Sequence, residues 1–230
     1  VNTVRLFIGF DPREAAAYHV CAQSIIERSS LPLAITPLHS ANLAGFDGQK
    51  DGSNAFIYSR FLVPYLCDFS GCAIFIDGDM VVNADIAELW ALRERFAMNK
   101  ACAVVKHDYA TQHPRKYLGT PLETGNESYP RKNWSSVILW NCGHYANRIL
   151  TPELVAEASG KQVHRFEWLR DEQIDDLPGE WNHLVGEYPE KESKLYHFTL
   201  GVPGFERYAR DEGAVLWHEA RERMNHLVGV

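Results

Sequence analysis

Asp77-Gly78-Asp79 sets two carboxylates one residue apart at the end of an apolar run, AIFI, that resumes as MVV directly afterwards. Carboxylates held this close repel, and one of them takes up a proton more readily unless a cation lies between them. A divalent ion that accepts one or two carboxylates and leaves positions open for phosphate oxygens resolves the repulsion, and magnesium or manganese suits such hard ligands. The bland alternative is a solvated turn in which glycine supplies a positive φ. A bare Asp-x-Asp arises by chance about as often as not in a chain with this many aspartates, so the pattern alone decides little. The flanking apolar segments favour the metal, because they pin both acids at the edge of a buried sheet.

Further along, KLYHFTLGVPG places His197 at a strand end followed by Gly201, Pro203 and Gly204, a loop whose backbone can approach a phosphate closely. A lone histidine is otherwise a satisfied core or surface residue. Arg60 in YSRF reads equally as a surface arginine or as a planar fork for oxygen acceptors. Asp11 before Pro12 has a sufficient explanation as a helix cap.

The elements that must position these residues alternate. Residues 4–10 read as a strand, 12–28 as a helix, 33–38 as a strand despite Pro37, and 42–54 as a Gly/Asp/Asn-rich loop. Residues 55–69 have helical character with a kink expected before Pro64. The acid-bearing strand at 73–82 follows, then a short helix at 86–92 and strands at 101–106 and 134–142. Between those two strands, 107–133 is too long and polar for an ordinary connection and is a candidate binding loop. A helix opens at 151–159 with Thr151 as cap, a last strand covers 194–198, and a charged helix covers 206–226. Strands alternating with helices imply an α/β three-layer sandwich with a largely parallel sheet, whose ligands sit at the carboxyl ends of strands.

A chain of 230 residues with 46% hydrophobic content can bury one large core. Its net charge of -7, with no basic run, argues against nucleic acid or an anionic membrane surface as the main partner. Five cysteines without a C-x-x-C pair read as reduced thiols of a cytoplasmic protein. No window approaches the roughly 18 apolar residues of a membrane span, so a soluble chain without a transmembrane segment is expected.

IFIDGDMVV, preceded by YSRFLVPYL and followed far downstream by YHFTLG, resembles the retaining GT-A glycosyltransferases related to glycogenin and the bacterial lipopolysaccharide galactosyltransferases, glycosyltransferase family 8. The resemblance runs from the first strand to about residue 204. It implies a single GT-A (Rossmann-like nucleotide-diphospho-sugar transferase) domain over 1–230, with a donor-binding part at about 1–105, an acceptor and catalytic part at about 106–205 and a terminal helix at about 206–226.

By that resemblance Asp77, Asp79 and His197 hold Mn2+ (or Mg2+) on the diphosphate of a UDP-sugar, with Gly78 and Gly201 in close backbone approach. Arg60 lies against the donor, with Tyr58 beside it as core packing or ligand, and Ile8, Phe10 and Asp11 form the uridine site. Ser135 and Ser136 of WSSVILWNC touch the donor sugar, and Asp108 is placed for sugar hydroxyls of donor or acceptor. The stretch WLRDEQIDD puts Asp171 with Glu172 or Gln173 beneath the donor sugar as catalytic residues, the register between the last two being open. The lysine that the family carries after its histidine has no counterpart in GVPGF.

The function implied is metal-dependent transfer of a sugar from a nucleotide-diphosphate donor to a glycan or lipid-linked hydroxyl, with retention, in polysaccharide biosynthesis. The base is either the departing phosphate oxygen or, through a covalent route, an enzyme carboxylate. The location implied is cytoplasmic, with a peripheral place at the inner membrane face as the variant. Two rivals stand beside it: a haloacid-dehalogenase-type phosphatase, which also ends a strand in Asp-x-Asp, and a catalytically silent sugar-nucleotide-binding or scaffold protein on the same fold.

Overall fold

The computed structural model describes residues 2–43, 46, 54–96 and 99–226. The central sheet has six strands in the order β2 (Leu33–Leu38), β1 (Val4–Gly9), β3 (Cys72–Ile76), β8 (Val137–Asn141), β5 (Cys102–Val104) and β9 (Ile174–Asp176). All run parallel except β8, which lies antiparallel between β3 and β5. Pro37 is tolerated because β2 is an edge strand.

The strands read as continuous apolar runs because both sheet faces are covered. Phe75, Ile138, Trp140 and Val104 face the layer of α2 (Val63–Leu66), α4 (Pro152–Glu157) and α5 (Gly160–His164). Ile8, Ile74, Ile76 and Leu139 face α1 (Ala15–Ile26) and α3 (Ile86–Ala91). Asp11 caps the 3-10 turn Pro12–Glu14 that leads into α1, accepting from the Arg13 amide at 2.9 Å, and Thr151 caps α4.

The acid-bearing segment is two strands rather than one. β3 ends at Ile76, and β4 (Met80–Val82) belongs to a second sheet of order β10 (His183–Leu184), β11 (Leu195–His197), β4. Gly78 makes the crossing: a Cβ there would lie 2.3 Å from the Gly9 carbonyl oxygen. Close approach, not a positive φ, is therefore what requires glycine. Gly78→Ala must push β1 and β3 apart, and a loss of about 1–3 kcal/mol in denaturant unfolding is expected. The free edge of β4 is closed by α1, whose Ser24 hydroxyl accepts from the Val82 amide at 3.0 Å. α6 (Ala214–Met224) packs outside α1, where Val20, Val81, Tyr196 and Trp217 form a third apolar cluster.

Three expected elements differ. Residues 55–69 are not a kinked helix but turns and a 3-10 segment, Ser59–Leu62, running into the single turn of α2; Pro64 sits in that first turn, where its missing N–H costs nothing. The terminal helix starts at Ala214 rather than 206, because Gly213 at φ 73 interrupts it. Residues 107–133 are tied by a hairpin of β6 (Arg115–Lys116) and β7 (Thr124–Gly125). The loop expected at 42–54 lies mostly outside the described residues. No described helix is long and apolar enough to cross a membrane.

Candidate functional site

The two sheets meet at the acids. Asp77 follows the last residue of β3, and its amide donates to the Ser136 carbonyl at 2.9 Å, continuing the β3–β8 ladder by one rung. Asp79 leads into β4, and its carbonyl accepts from the Phe198 amide at 3.0 Å. The antiparallel register of β11 on β4 sets His197 opposite Met80, so pairing of two short strands delivers a distant imidazole to the acids.

One ligand atom from each of Asp77, Asp79 and His197 lies within 4.8 Å of the others. His197 Nε2 is 3.4 Å from Asp79 Oδ1. Arg60 Nη1 stands 2.8 Å from Asp77 Oδ1 but lacks hydrogen-bond alignment on it; its aligned bond goes to the Ser135 carbonyl at 2.9 Å. Oδ1 of Asp77 and Oδ1 of Asp79 are thus buried acceptors without a hydrogen-bond donor. Burial, with the charge of Asp79, pushes the Asp77 carboxyl up to about 6 against the pull of Arg60. Burial acts the same way on Asp79, but the facing His197 and Lys116 outweigh it and hold that carboxyl below its ordinary value. Two orphan carboxylate oxygens and one imidazole nitrogen are a fitting donor set for a hard divalent ion, so this buried Asp-Asp-His group could bind a metal.

The imidazole is prepared by a residue that the sequence did not flag. Asn182, fully buried, donates from Nδ2 to Ser136 Oγ at 2.8 Å and to the Asn133 carbonyl at 3.3 Å. Those two acceptors turn its Oδ1 toward His197 Nδ1, 3.1 Å away. A carbonyl oxygen only accepts, so Nδ1 carries a proton and Nε2 is the nitrogen left facing the acids, where its lone pair could serve a bound metal. Asn182→Ala should weaken metal affinity by about 10–100-fold while the three ligands stay in place, measurable by calorimetric metal titration.

Two cavities flank the cluster. The first opens at the carboxyl ends of β1 and β3, bounded by Gly9, Asp11, Glu14, Gly78, Asp79 and Tyr117. Burial and the charge of Asp79 push the Glu14 carboxyl up to about 7. The second, of about 360 Å³, lies beyond Asp77 and is bounded by Arg60, Tyr129, Ser135, Lys161, His164 and Arg165. Burial, with Arg60 nearby, drives His164 down to about 3, and its Nδ1 pairs with Ser135 Oγ at 2.7 Å. Lys116 borders both cavities.

Of the residues singled out in the sequence, Asp77, Gly78, Asp79, His197, Arg60, Ser135, Ser136 and Asp11 come together here. Asp11 both caps its turn and borders the first cavity, its carboxylate held by Arg13 and the Ala55 amide. Ile8 is buried in the core against α1, Phe10 packs edge-on against Tyr18, and Tyr58 is buried in the opposite core layer. Gly201 lies against the Tyr208 ring, and Asp108 is exposed and borders neither cavity.

Asp171, Glu172 and Gln173 are not brought to the cluster. They form a 3-10 turn before β9, and the register aligns Ile174 through Cys102 and Trp140 with Ala73. That places Gln173 at the amino end of β3, about 17 Å along the strand direction from Asp77 at ~3.3 Å per residue. Gln173 instead caps Arg170 and donates to the Tyr145 hydroxyl, while Asp171 and Glu172 pair with Arg131 and Arg170. Asp171, Glu172 and Gln173, which the resemblance implies lie beneath a donor sugar, border neither cavity.

No protein-family model matches the chain. It is 41% identical over 232 residues to Protein CDI of Arabidopsis thaliana, covering 96% of this chain and 87% of that protein. The apo structure of the bifunctional glycosyltransferase WbbM superposes with a TM-score of 0.65 at 16% identity over 95% of this chain, which spans 49% of the WbbM chain. The galactosyltransferase LgtC, in complex with donor and acceptor sugar analogues, superposes with a TM-score of 0.60 at 11% identity over 97% of each chain. Both have the GT-A fold, and the mixed sheet described above is that fold.

Proposed function

This chain belongs to the same family as Arabidopsis thaliana Protein CDI and has the GT-A glycosyltransferase fold, and on that premise we propose that it is a metal-dependent glycosyltransferase. The observation that carries the reading is the convergence of Asp77, Asp79 and His197 where the two sheets meet, between two cavities. The donor is a nucleotide-diphosphate sugar, taken as a UDP-sugar from the family 8 resemblance, and the acceptor is a hydroxyl of a glycan or lipid-linked sugar. Manganese or magnesium would supply charge neutralisation on the departing diphosphate. The five free cysteines support a cytoplasmic place. The GT-A fold displaces the phosphatase alternative.

The chain's own groups divide the work. Asp11 and Glu14 border the cavity assigned to the nucleoside, and Arg60, Ser135 and Ser136 border the one assigned to the sugar. Among the described residues, the carboxylates bordering these cavities are Asp11, Glu14, Asp77 and Asp79. That none of Asp171, Glu172 and Gln173 borders either cavity supports retention by attack of the acceptor on the same face of the sugar as the departing phosphate, whose oxygen takes the acceptor proton.

Lys116 stands in for the lysine missing from GVPGF. Its hairpin is fastened on either side of that segment: the Tyr117 amide donates to the Leu200 carbonyl at 2.6 Å and the Leu118 amide to the Tyr208 hydroxyl at 2.7 Å. Lys116 should contact the diphosphate, and Lys116→Met is expected to weaken UDP by about tenfold with little effect on uridine.

The test of the function is incubation with Mn2+ and a panel of UDP-sugars, with and without chelator, following binding and UDP release. Metal-dependent binding with slow hydrolysis, accelerated by an acceptor, is expected. Binding without turnover across varied acceptors would assign a silent binding protein, and no chelator-sensitive binding would overturn the reading.

A further inference from the structure

We propose that the second cavity receives a sugar unit bearing a negative charge, a carboxylate or a phosphate, gripped by Lys161 and Arg165. The inference rests on the nucleotide-sugar reading of the neighbouring cluster.

The chain carries a net charge of -7, yet this cavity is bordered by Arg60, Lys116, Lys161 and Arg165 against one carboxylate, Asp77. Arg60 balances that carboxylate in the ion pair described above. Lys161, in the first turn of α5, and Arg165, just past its end, lie four residues apart on one face, and both border this cavity, so their like charges face the same space. Among the described residues neither side chain has an ion-pair partner. Arg131, paired with Asp171, donates from its other nitrogen to the Arg165 carbonyl and thereby fixes the end of the helix.

His164, between the two, adds no charge, because burial keeps it neutral, and its Nε2 is buried without a hydrogen-bond partner. Tyr129, Asn133 and Ser135 complete the wall with hydroxyl and amide groups suited to sugar hydroxyls. At about 360 Å³ the space falls in the roughly 300–1,000 Å³ range of small-molecule sites. A neutral hexose would be held by those polar groups alone and would leave two convergent cations unanswered. An anionic substituent answers both.

The charge can arrive on the donor or on the acceptor, and two arms separate these sources. In the first, UDP-glucuronate and UDP-glucose are titrated against the protein with Mn2+. In the second, glucose 6-phosphate and glucose are titrated against protein saturated with Mn2+ and UDP. One anionic ligand is expected to bind at least about tenfold tighter than its neutral counterpart. The preference should fall in Lys161→Ala/Arg165→Ala, and shrink with added salt. UDP itself, which lacks a sugar, serves as the reference ligand in both proteins. Equal affinity for charged and neutral ligands in both arms would overturn the proposal, as would a preference that survives the double substitution. Absence of metal-dependent UDP binding in the unsubstituted protein would instead remove the nucleotide-sugar reading on which the proposal stands.

Discussion

Asp79→Ala should abolish metal-dependent nucleotide binding, by at least about 100-fold, while leaving the sheets intact. The side chain supplies one of three ligand atoms, and it is the one nearest His197. Losing a direct ligand exceeds the roughly 10–100-fold loss expected when only a supporting residue is removed. The fold survives because the backbone of Asp79, not its carboxylate, holds the junction through the Phe198 amide, and because no apolar packing depends on the side chain. Calorimetric titration of UDP with Mn2+ present and then chelated, beside circular dichroism of the variant, reads both halves. Retained chelator-sensitive binding would show that the ion sits elsewhere.

Asp77→Asn is expected to abolish metal binding as well, and to stabilise the metal-free protein in a pH-dependent way. Burial and the like charge of Asp79 raise the Asp77 carboxyl from 3.8 to about 6. A carboxyl raised in the folded state takes up a proton on folding, so its contribution is fully present below about pH 4 and is lost as pH rises through about 6. Asparagine resembles the protonated form, which the site prefers even with Arg60 present, since the attraction of Arg60 is already inside that balance. The variant should therefore gain on the unsubstituted protein from pH 4 upward, reaching an advantage on the order of 2 kcal/mol above pH 6 in the presence of chelator. Chemical unfolding at several pH values measures it. A stability difference that does not change across that window would mean that Asp77 is not strained. Saturating metal should reverse the order, because only the unsubstituted protein gains from binding.

The alternation of strands and helices, both caps at Asp11 and Thr151, and the burial of the acid-bearing strand were legible because each is written in a few consecutive residues. His197 was legible for the same reason, as a strand end followed by small residues. The residues that escaped are those whose role comes from a partner far away in sequence. Glu14 reads as the solvated first turn of a helix, and only the hairpin folded over it buries it. Lys116 and Tyr117 lie in a stretch with no periodicity. Asn182 carries no pattern at all until His197 is known to need an acceptor for its Nδ1 proton.

Where 171–173 lies was hidden for another reason. No strand was expected after it, and only the pairing of β9 with β5 shows which end of the sheet this turn borders. The break within 73–82 was hidden similarly, since an apolar run does not reveal that it serves two sheets.

That handover between sheets has a thermodynamic consequence. An ion bound to Asp77, Asp79 and His197 would act as a removable cross-link between the larger sheet and the strand contributed from near the carboxyl-terminal end, closing a long stretch of chain as a disulfide would, but reversibly. Amide protons of the small sheet should then exchange with solvent at rates set by free cation concentration, so that occupancy governs how tightly the last third of the molecule is fastened to the first.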